Sequence, residues 1–264
     1  MNKRFSVVIR NKNEAVALEK VLHILHHIYS SDIKEIIIVD NNSADNSLDV
    51  AGKFGCKIVN ISEFTYGRAT NYGMEAASSD YVLLLSSHAI PVGESFFKNT
   101  LNALEKDEQI AGVRYINSFE NYERAIKNDF LVRNPLEHGL MAACCVINKK
   151  VWEKIKFNEE VLAIEDKDWS NRVAARGYKI KDLNETYFYF LKRNLQANLY
   201  RYKIESISTF RLQNRSFSTP IKSFLSLVKK IFVTNVILYL QNCKKAFLGF
   251  KTNLEIYQTL KKNE

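Results

Sequence analysis

The sequence predicts an α/β fold: a largely parallel sheet with helices on both faces. Three observations predict it. Short, near-continuous apolar runs recur through the first ninety residues, amphipathic stretches with helical spacing separate them, and polar clusters follow several of the runs. Strands buried on both faces read as unbroken apolar runs, and regular alternation of strand with helix builds a parallel sheet.

Residues 5–9 form the first expected strand. Residues 14–28 place Val16, Val21, Leu22, Leu25 and Ile28 at near-helical spacing. A second strand at 35–39, a helix at 44–53 and a third strand at 57–59 follow, then a helix from about 68 to 77 and a fourth strand at 81–85. The middle is less regular, with a helix at 94–104 and strands at 110–116 and 141–147. A helix at 167–176 is closed by Gly177, since glycine supplies the left-handed turn that ends helices. Beyond Asn194 the chain reads as helix throughout. This organisation divides the 264 residues into one large domain, 1–212, and a helical extension, 213–264.

Composition narrows the class. With 46% hydrophobic and 25% charged residues, nine glycines and three prolines, the chain has a globular balance. The four cysteines lack paired metal-ligand spacing, and the adjacent Cys144 and Cys145 lie in an apolar run that suits packing. The apolar run near the N-terminus is too short for a signal peptide, so a reducing cytoplasmic setting is expected. Net charge is +9, and +7 of it falls beyond residue 214. A basic tail seeks an anionic partner, either nucleic acid or lipid headgroups. Nothing in the tail resembles a nucleic-acid-binding module, so no nucleic-acid partner is expected. Ile221, Phe224, Leu225, Val228, Ile231, Phe232 and Val236 recur three and four apart, with Lys222, Lys229 and Lys230 among them. The uninterrupted apolar run 231–240 is shorter than a bilayer crossing. A membrane surface, the large domain itself or a second subunit therefore stay open as its contact.

Ligands of open α/β sheets bind beyond the carboxyl ends of the strands. Three polar loops fall there: Arg10-Asn-Lys-Asn-Glu14, Asp40-Asn-Asn-Ser-Ala-Asp45 and Ser86-Ser-His-Ala-Ile-Pro91. Amides and carboxylates can read a base edge and a ribose, although Ser43 or Asp45 would also serve as a plain helix cap. Neither the dinucleotide fingerprint G-x-G-x-x-G nor the P-loop pattern is present.

The ordered runs SVVIRNKNEA, IIIVDNNSADNS, FTYGRATNYGMEAASSDYVLLLSSHAIP and INKKVWEKIKFNEEVLAIEDKDWSNRVAARGYKI resemble family 2 glycosyltransferases, closest to the bacterial rhamnosyltransferase-like members. The resemblance spans about residues 5–195 and implies a GT-A fold, a nucleotide-diphosphate sugar donor and inverting transfer to an acceptor hydroxyl. It implies that Asn11, Asn13 and Glu14 line the nucleotide pocket, with Ser87 and His88 nearby. Asp40 would contact the base, and Arg68 and Asn71 would approach base and diphosphate. Asp166, beside Glu165, matches the catalytic base. Trp169, one helical turn on, would offer its indole to an acceptor sugar. A carboxylate opening a helix is favoured in its charged form, so a low pKa is expected for Asp166.

The likeness breaks where relatives carry a metal-binding D-x-D-like motif. Here Ser86-Ser87-His88 stands instead, and Arg193 occupies the place of a later metal-binding histidine. His88 would suit Mn²⁺ better than Mg²⁺, which prefers oxygen donors. The alternative, favoured by the arginine, is that Lys192 and Arg193 neutralise the departing diphosphate themselves. The expected role is synthesis of a bacterial surface glycan on a glycan or lipid-linked acceptor, from the cytoplasmic face of the membrane. A catalytically inactive sugar-nucleotide-binding relative is the alternative.

Overall fold

The structure, a computed structural model, describes residues 5–191 and 193–261. They divide into two compact units, Met1–Asn214 and Arg215–Glu264. The first unit opens with β1 (Phe5–Asn11), α1 (Ala15–Ile28), β2 (Ile33–Asp40), α2 (Ser47–Lys53), β3 (Lys57–Asn60), α3 (Tyr66–Ala76) and β4 (Tyr81–Ser86). These are the elements the apolar periodicity predicts, with ends shifted by a few residues.

The remainder of the unit holds β5 (Ala89–Val92), α4 (Phe96–Glu105), β6 (Ile110–Tyr115), α5 (Phe119–Lys127), α6 (Pro135–His138), β7 (Cys144–Asn148), α7 (Lys149–Lys154), α8 (Glu165–Ala174), β8 (Lys179–Leu183), β9 (Thr186–Tyr189) and α9 (Leu195–Leu212). Seven strands form one sheet in the order β3-β2-β1-β4-β7-β6-β8, and β5 pairs with β9 in a second. The order reverses beside β1, the point at which such sheets open a crevice. The sheet is mostly parallel, but β7 runs antiparallel to both β4 and β6. Sequence periodicity cannot supply that direction, because an apolar strand reads the same either way. The short β5–β9 ribbon is not an expected element either: β9 lies in the aromatic run 187–190, of whose strand residues only Tyr187 is buried.

Two apolar layers flank the sheet. Val7, Ile9, Leu83 and Leu85 face α1 residues Leu18, Val21, Leu22 and Leu25. Val8, Ile37, Val39 and Leu84 face Ala69 and Met74 of α3 and Trp169 and Val173 of α8. Alternate residues of each strand feed alternate layers, as the pleat requires. Cys144 and Cys145 are buried free thiols, one in each layer. Gly177 closes the α8 region at φ +85, as expected of a helix stop.

The second unit contains α10 (Pro220–Lys229), a π-helical turn at Lys230–Thr234 and α11 (Asn235–Lys261). They join into one helix, Pro220–Lys261, which by length and composition could cross a membrane. The sequence reading measured only the unbroken run 231–240 and so judged the segment too short. Every described residue of this helix is exposed within the structure.

Candidate active site

The loops after β1 and β2 hold each other. Asn11 Nδ2 donates to Asp40 Oδ1 at 3.0 Å and to Ser43 Oγ at 3.2 Å. Ala44 N donates to Asn13 Oδ1, while Asn13 N donates to Ser43 Oγ. Asp45 accepts from Ala15 N at the start of α1 and from Ser47 N at the start of α2, so one carboxylate caps two helices. Asn13 and Asn42 adopt φ +54 and +50, the left-handed region that asparagine tolerates better than most residues. Asn11 Oδ1 is buried and has no hydrogen-bond partner, an acceptor left open at the end of β1.

Asp40, by contrast, is fully buried. Its oxygens accept from Asn11, from Ser43 N at 2.8 Å and from Ser43 Oγ at 2.6 Å. Asp40 thus clamps its own loop, at the place where the sequence resemblance puts the base contact.

The α3 segment is also engaged by the fold. Asn71 donates from Nδ2 to Phe157 O and Glu159 Oε1, and its Oδ1 accepts from Trp152 Nε1 and Phe157 N. Two donors and two acceptors exhaust a primary amide. One turn earlier, a Cβ on Gly67 would run into the Asn158 carbonyl. Gly67 and Asn71 thus dock α3 against residues 157–159. Arg68 is held by Glu63 and by Glu159 at 3.1 Å. The Asn71 amide is fully engaged, whereas Arg68 is partly exposed and pairs through Nε and Nη1.

At the opposite wall, the start of α8 presents the two carboxylates. Ile164 precedes it at φ +61, an unusual conformation for a β-branched residue, and this turn aims the first helical residues. Glu165 is buried and receives Arg10 Nη1 at 2.6 Å. Arg10 also donates to Thr70 Oγ1 and lies 5.1 Å from the centroid of the Tyr66 ring. Burial works against the Arg10 cation, but Glu165 outweighs it and raises the Arg10 pKa. Asp166 is half-buried, with Oδ2 accepting from Ala142 N at 2.7 Å and Oδ1 from Lys167 N at 2.8 Å. Burial, and then the neighbouring Glu165, push the Asp166 pKa up to about 6. The low pKa expected from the helix dipole is corrected: desolvation and like charge outweigh the dipole and the two amides.

A third group gathers at the turn after β4. His88 Nδ1 lies 3.2 Å from Ser87 Oγ, and its Nε2 lies 3.1 Å from Glu14 Oε2. The β5–β9 ribbon and a Phe190 N to His88 O bond bring the following segment alongside. Burial lowers the His88 pKa, Glu14 opposes, and Arg193 adds to the lowering. His88 is thus a neutral ring at neutral pH, and the cation of this group is Arg193. Glu14, far from His88 in sequence, thus sets a carboxylate beside it. Even so, no cluster of three His, Cys, Asp or Glu side chains with metal-binding geometry occurs among the described residues. His88 and Glu14 alone, beside a cation, do not make a resident metal site. Lys192 lies outside the described residues.

Trp169 is the last correction. It is fully buried, donates Nε1 to Ile155 O and stacks on Phe157 at 5.2 Å, so it offers no face to an acceptor. Sequence reasoning missed Arg10 as a partner of Glu165. The signal was available, since an arginine ending a buried strand needs a carboxylate.

The family described as "Glycosyl transferase family 2" matches residues 6–213. No curated protein matches. Among solved structures, the chain is similar to mannosyltransferase PcManGT from Pyrobaculum calidifontis in complex with GDP-Man and Mn²⁺: 17% identity over 82% of this chain, TM-score 0.64. It spans 66% of that enzyme. It is also similar to glucosyl-3-phosphoglycerate synthase from Mycobacterium tuberculosis in complex with Mn²⁺, UDP-glucose and phosphoglyceric acid, at 16% identity over 82% of each chain, TM-score 0.60. TarS 1–349 from S. aureus in complex with UDP-GlcNAc follows at 16% identity, covering 72% of this chain and 59% of that one, TM-score 0.54. At these identities the likeness is one of fold.

Proposed function

The chain belongs to glycosyl transferase family 2, and on that premise we propose that it transfers a sugar, with inversion, from a nucleoside-diphosphate donor to an acceptor hydroxyl, with Asp166 as general base. One observation carries the proposal. Two backbone amides fix the Asp166 carboxylate at the start of α8, and its pKa of about 6 keeps it ionised at neutral pH. It is also a better proton acceptor than an ordinary aspartate. The ideal general base has a pKa near the operating pH.

In the proposed step the acceptor hydroxyl gives its proton to Asp166 as its oxygen attacks the anomeric carbon. The bond from that carbon to the diphosphate oxygen breaks on the opposite face, which inverts the configuration. Negative charge collects on the departing diphosphate. Arg193, with Lys192 beside it in sequence, supplies fixed positive charge for that oxygen, a role preorganised cations fill well. Arg10 holds Glu165 as a paired anion, so Asp166 is the carboxylate left for the acceptor. Asn11, with its open Oδ1, together with Asn13 and Glu14, is proposed to receive the nucleotide. The synthesis of a bacterial surface glycan on a glycan or lipid-linked acceptor is the role we propose for this chemistry.

The test is turnover of a panel of nucleotide sugars by wild type and by Asp166→Asn, with nucleoside-diphosphate binding followed by thermal shift. Loss of about 10²–10⁴-fold in kcat with binding retained is expected. Equal rates would remove Asp166 as the base. Activity is expected to survive EDTA if Arg193 carries the leaving-group charge.

A further inference from the structure

We infer that the helix Pro220–Lys261 lies in the plane of an anionic lipid bilayer, its apolar side in the acyl boundary and its lysines on the phosphates. The inference goes beyond glycosyl transfer and does not depend on it.

The first ground is a single apolar stripe running the length of the helix. Ile221, Leu225, Val228 and Phe232 follow one another at steps of four, three and four. From Val236 the same alternation resumes and reaches Tyr257, meeting only apolar side chains and Cys243. Between the halves, from Phe232 to Val236, the step is four where the alternation asks for three. The π-helical turn at Lys230–Thr234 falls at that place. A π turn accommodates one extra residue within an α-helix, so it brings the two half-stripes onto one side. An irregularity that repairs the phase of an apolar face indicates that the face is used as a unit.

The lysines are not scattered. Lys222, Lys229, Lys244 and Lys251 each directly follow a stripe residue, and Lys230 and Lys245 come next to two of them. Lys222, Lys229, Lys244 and Lys251 therefore run along one flank of the stripe, Lys230 and Lys245 stand opposite it, and Glu255 is the helix's one acidic residue. An apolar face bordered by lysines complements a surface whose interior is hydrocarbon and whose rim is phosphate.

Two other occupants fit less well. A second copy of the helix would set one lysine-rich helix against another. A transverse span, which the length of the helix allows, would draw lysines into the hydrocarbon, where charge is costly. Only thirteen residues separate Lys230 from Lys244, about 20 Å of helix against a hydrocarbon core of about 30 Å. Asn235, Gln241 and Asn242 lie within them.

The test is co-sedimentation of the full chain with phosphatidylcholine vesicles, with and without roughly one-third phosphatidylglycerol. Binding to the anionic vesicles is expected to be at least about tenfold tighter, to weaken in high salt, and to be reversed by alkaline carbonate. The quadruple variant K229Q/K230Q/K244Q/K245Q is expected to bind them about 100-fold more weakly. Its far-UV dichroism and thermal melting, compared with wild type, separate loss of binding from loss of folding. Absence of vesicle binding, equal binding to both vesicle types, or retention after carbonate would each overturn the inference. So would a lipid-free dimer, seen by sedimentation equilibrium, that survives the quadruple substitution but is lost in Phe247→Ser. None of these readouts measures sugar transfer, so their failure leaves the enzymatic proposal standing.

Discussion

The two units of the chain treat their residues in opposite ways. The unit 1–214 draws charged and amide side chains inside and satisfies them: Asp40 within its loop, Asn71 across to residues 157–159, Arg10 on Glu165. The unit 215–264 turns its large apolar residues outward. A buried polar group costs stability unless paired, whereas an exposed apolar face costs little to the fold but is a demand for a partner. Buried polar residues in the first unit are therefore largely architecture, and the exposed apolar residues of the second are those for which we propose a lipid partner. The exceptions are informative. Asn11 Oδ1 is a buried acceptor without a partner, Asp166 and Arg193 are only partly buried, and to these groups we assign the proposed chemistry.

Substitutions can break or sharpen this contrast. The largest effect on stability is expected from Trp169→Ala, at about 3–5 kcal/mol, as for other buried aromatics. Chemical denaturation would measure it, and an unchanged midpoint with a raised acceptor KM would restore the indole to the substrate. Asn71→Ala should cost about 2–3 kcal/mol, since it leaves buried partners on residues 152 and 157 unpaired. Nucleotide affinity, measured by calorimetry on the folded fraction, should be nearly unchanged. A smaller effect is expected on pH dependence. With Asp166 as the proposed base, acting as its carboxylate, kcat/KM should rise as pH rises through about 6. Glu165→Gln removes the charge that raises this pKa, so the midpoint should fall. Arg10→Gln removes one that lowers it, so the midpoint should climb, each by about half a unit. Stability has the opposite sign. Folding raises this pKa from 3.8, so the contribution is present below that value and is lost as pH rises through about 6. The smallest effect belongs to the second unit: Phe247→Ser should change the denaturation midpoint by no more than about 0.5 kcal/mol, because its ring is already in solvent.

The core of the first unit was legible because apolar periodicity is a direct record of burial. Residues 5–9, 35–39 and 81–85 could bury unbroken apolar runs only as strands of a covered sheet. The order of the polar loops after them also marked the strand ends that the fold brings to one edge of the sheet. What the loops did with their side chains was not legible. Asp40 and Asn71 have the composition of ligand contacts, and only their saturation by Ser43, Phe157 and Glu159 shows that they serve the fold. Trp169 reads alike as platform or as core until its neighbours are known.

By itself, then, the sequence determined the α/β alternation, the mouth of the sheet where chemistry gathers, the Glu165-Asp166 pair and the basic apolar tail. Only the tertiary structure decided the reversed direction of β7, the meeting of Arg10 with Glu165 and of His88 with Glu14 and Arg193, and the raised pKa of Asp166. The physical reason is range. Periodicity and turn chemistry are local and act along the chain, whereas hydrogen-bond saturation and desolvation depend on neighbours up to 155 positions away.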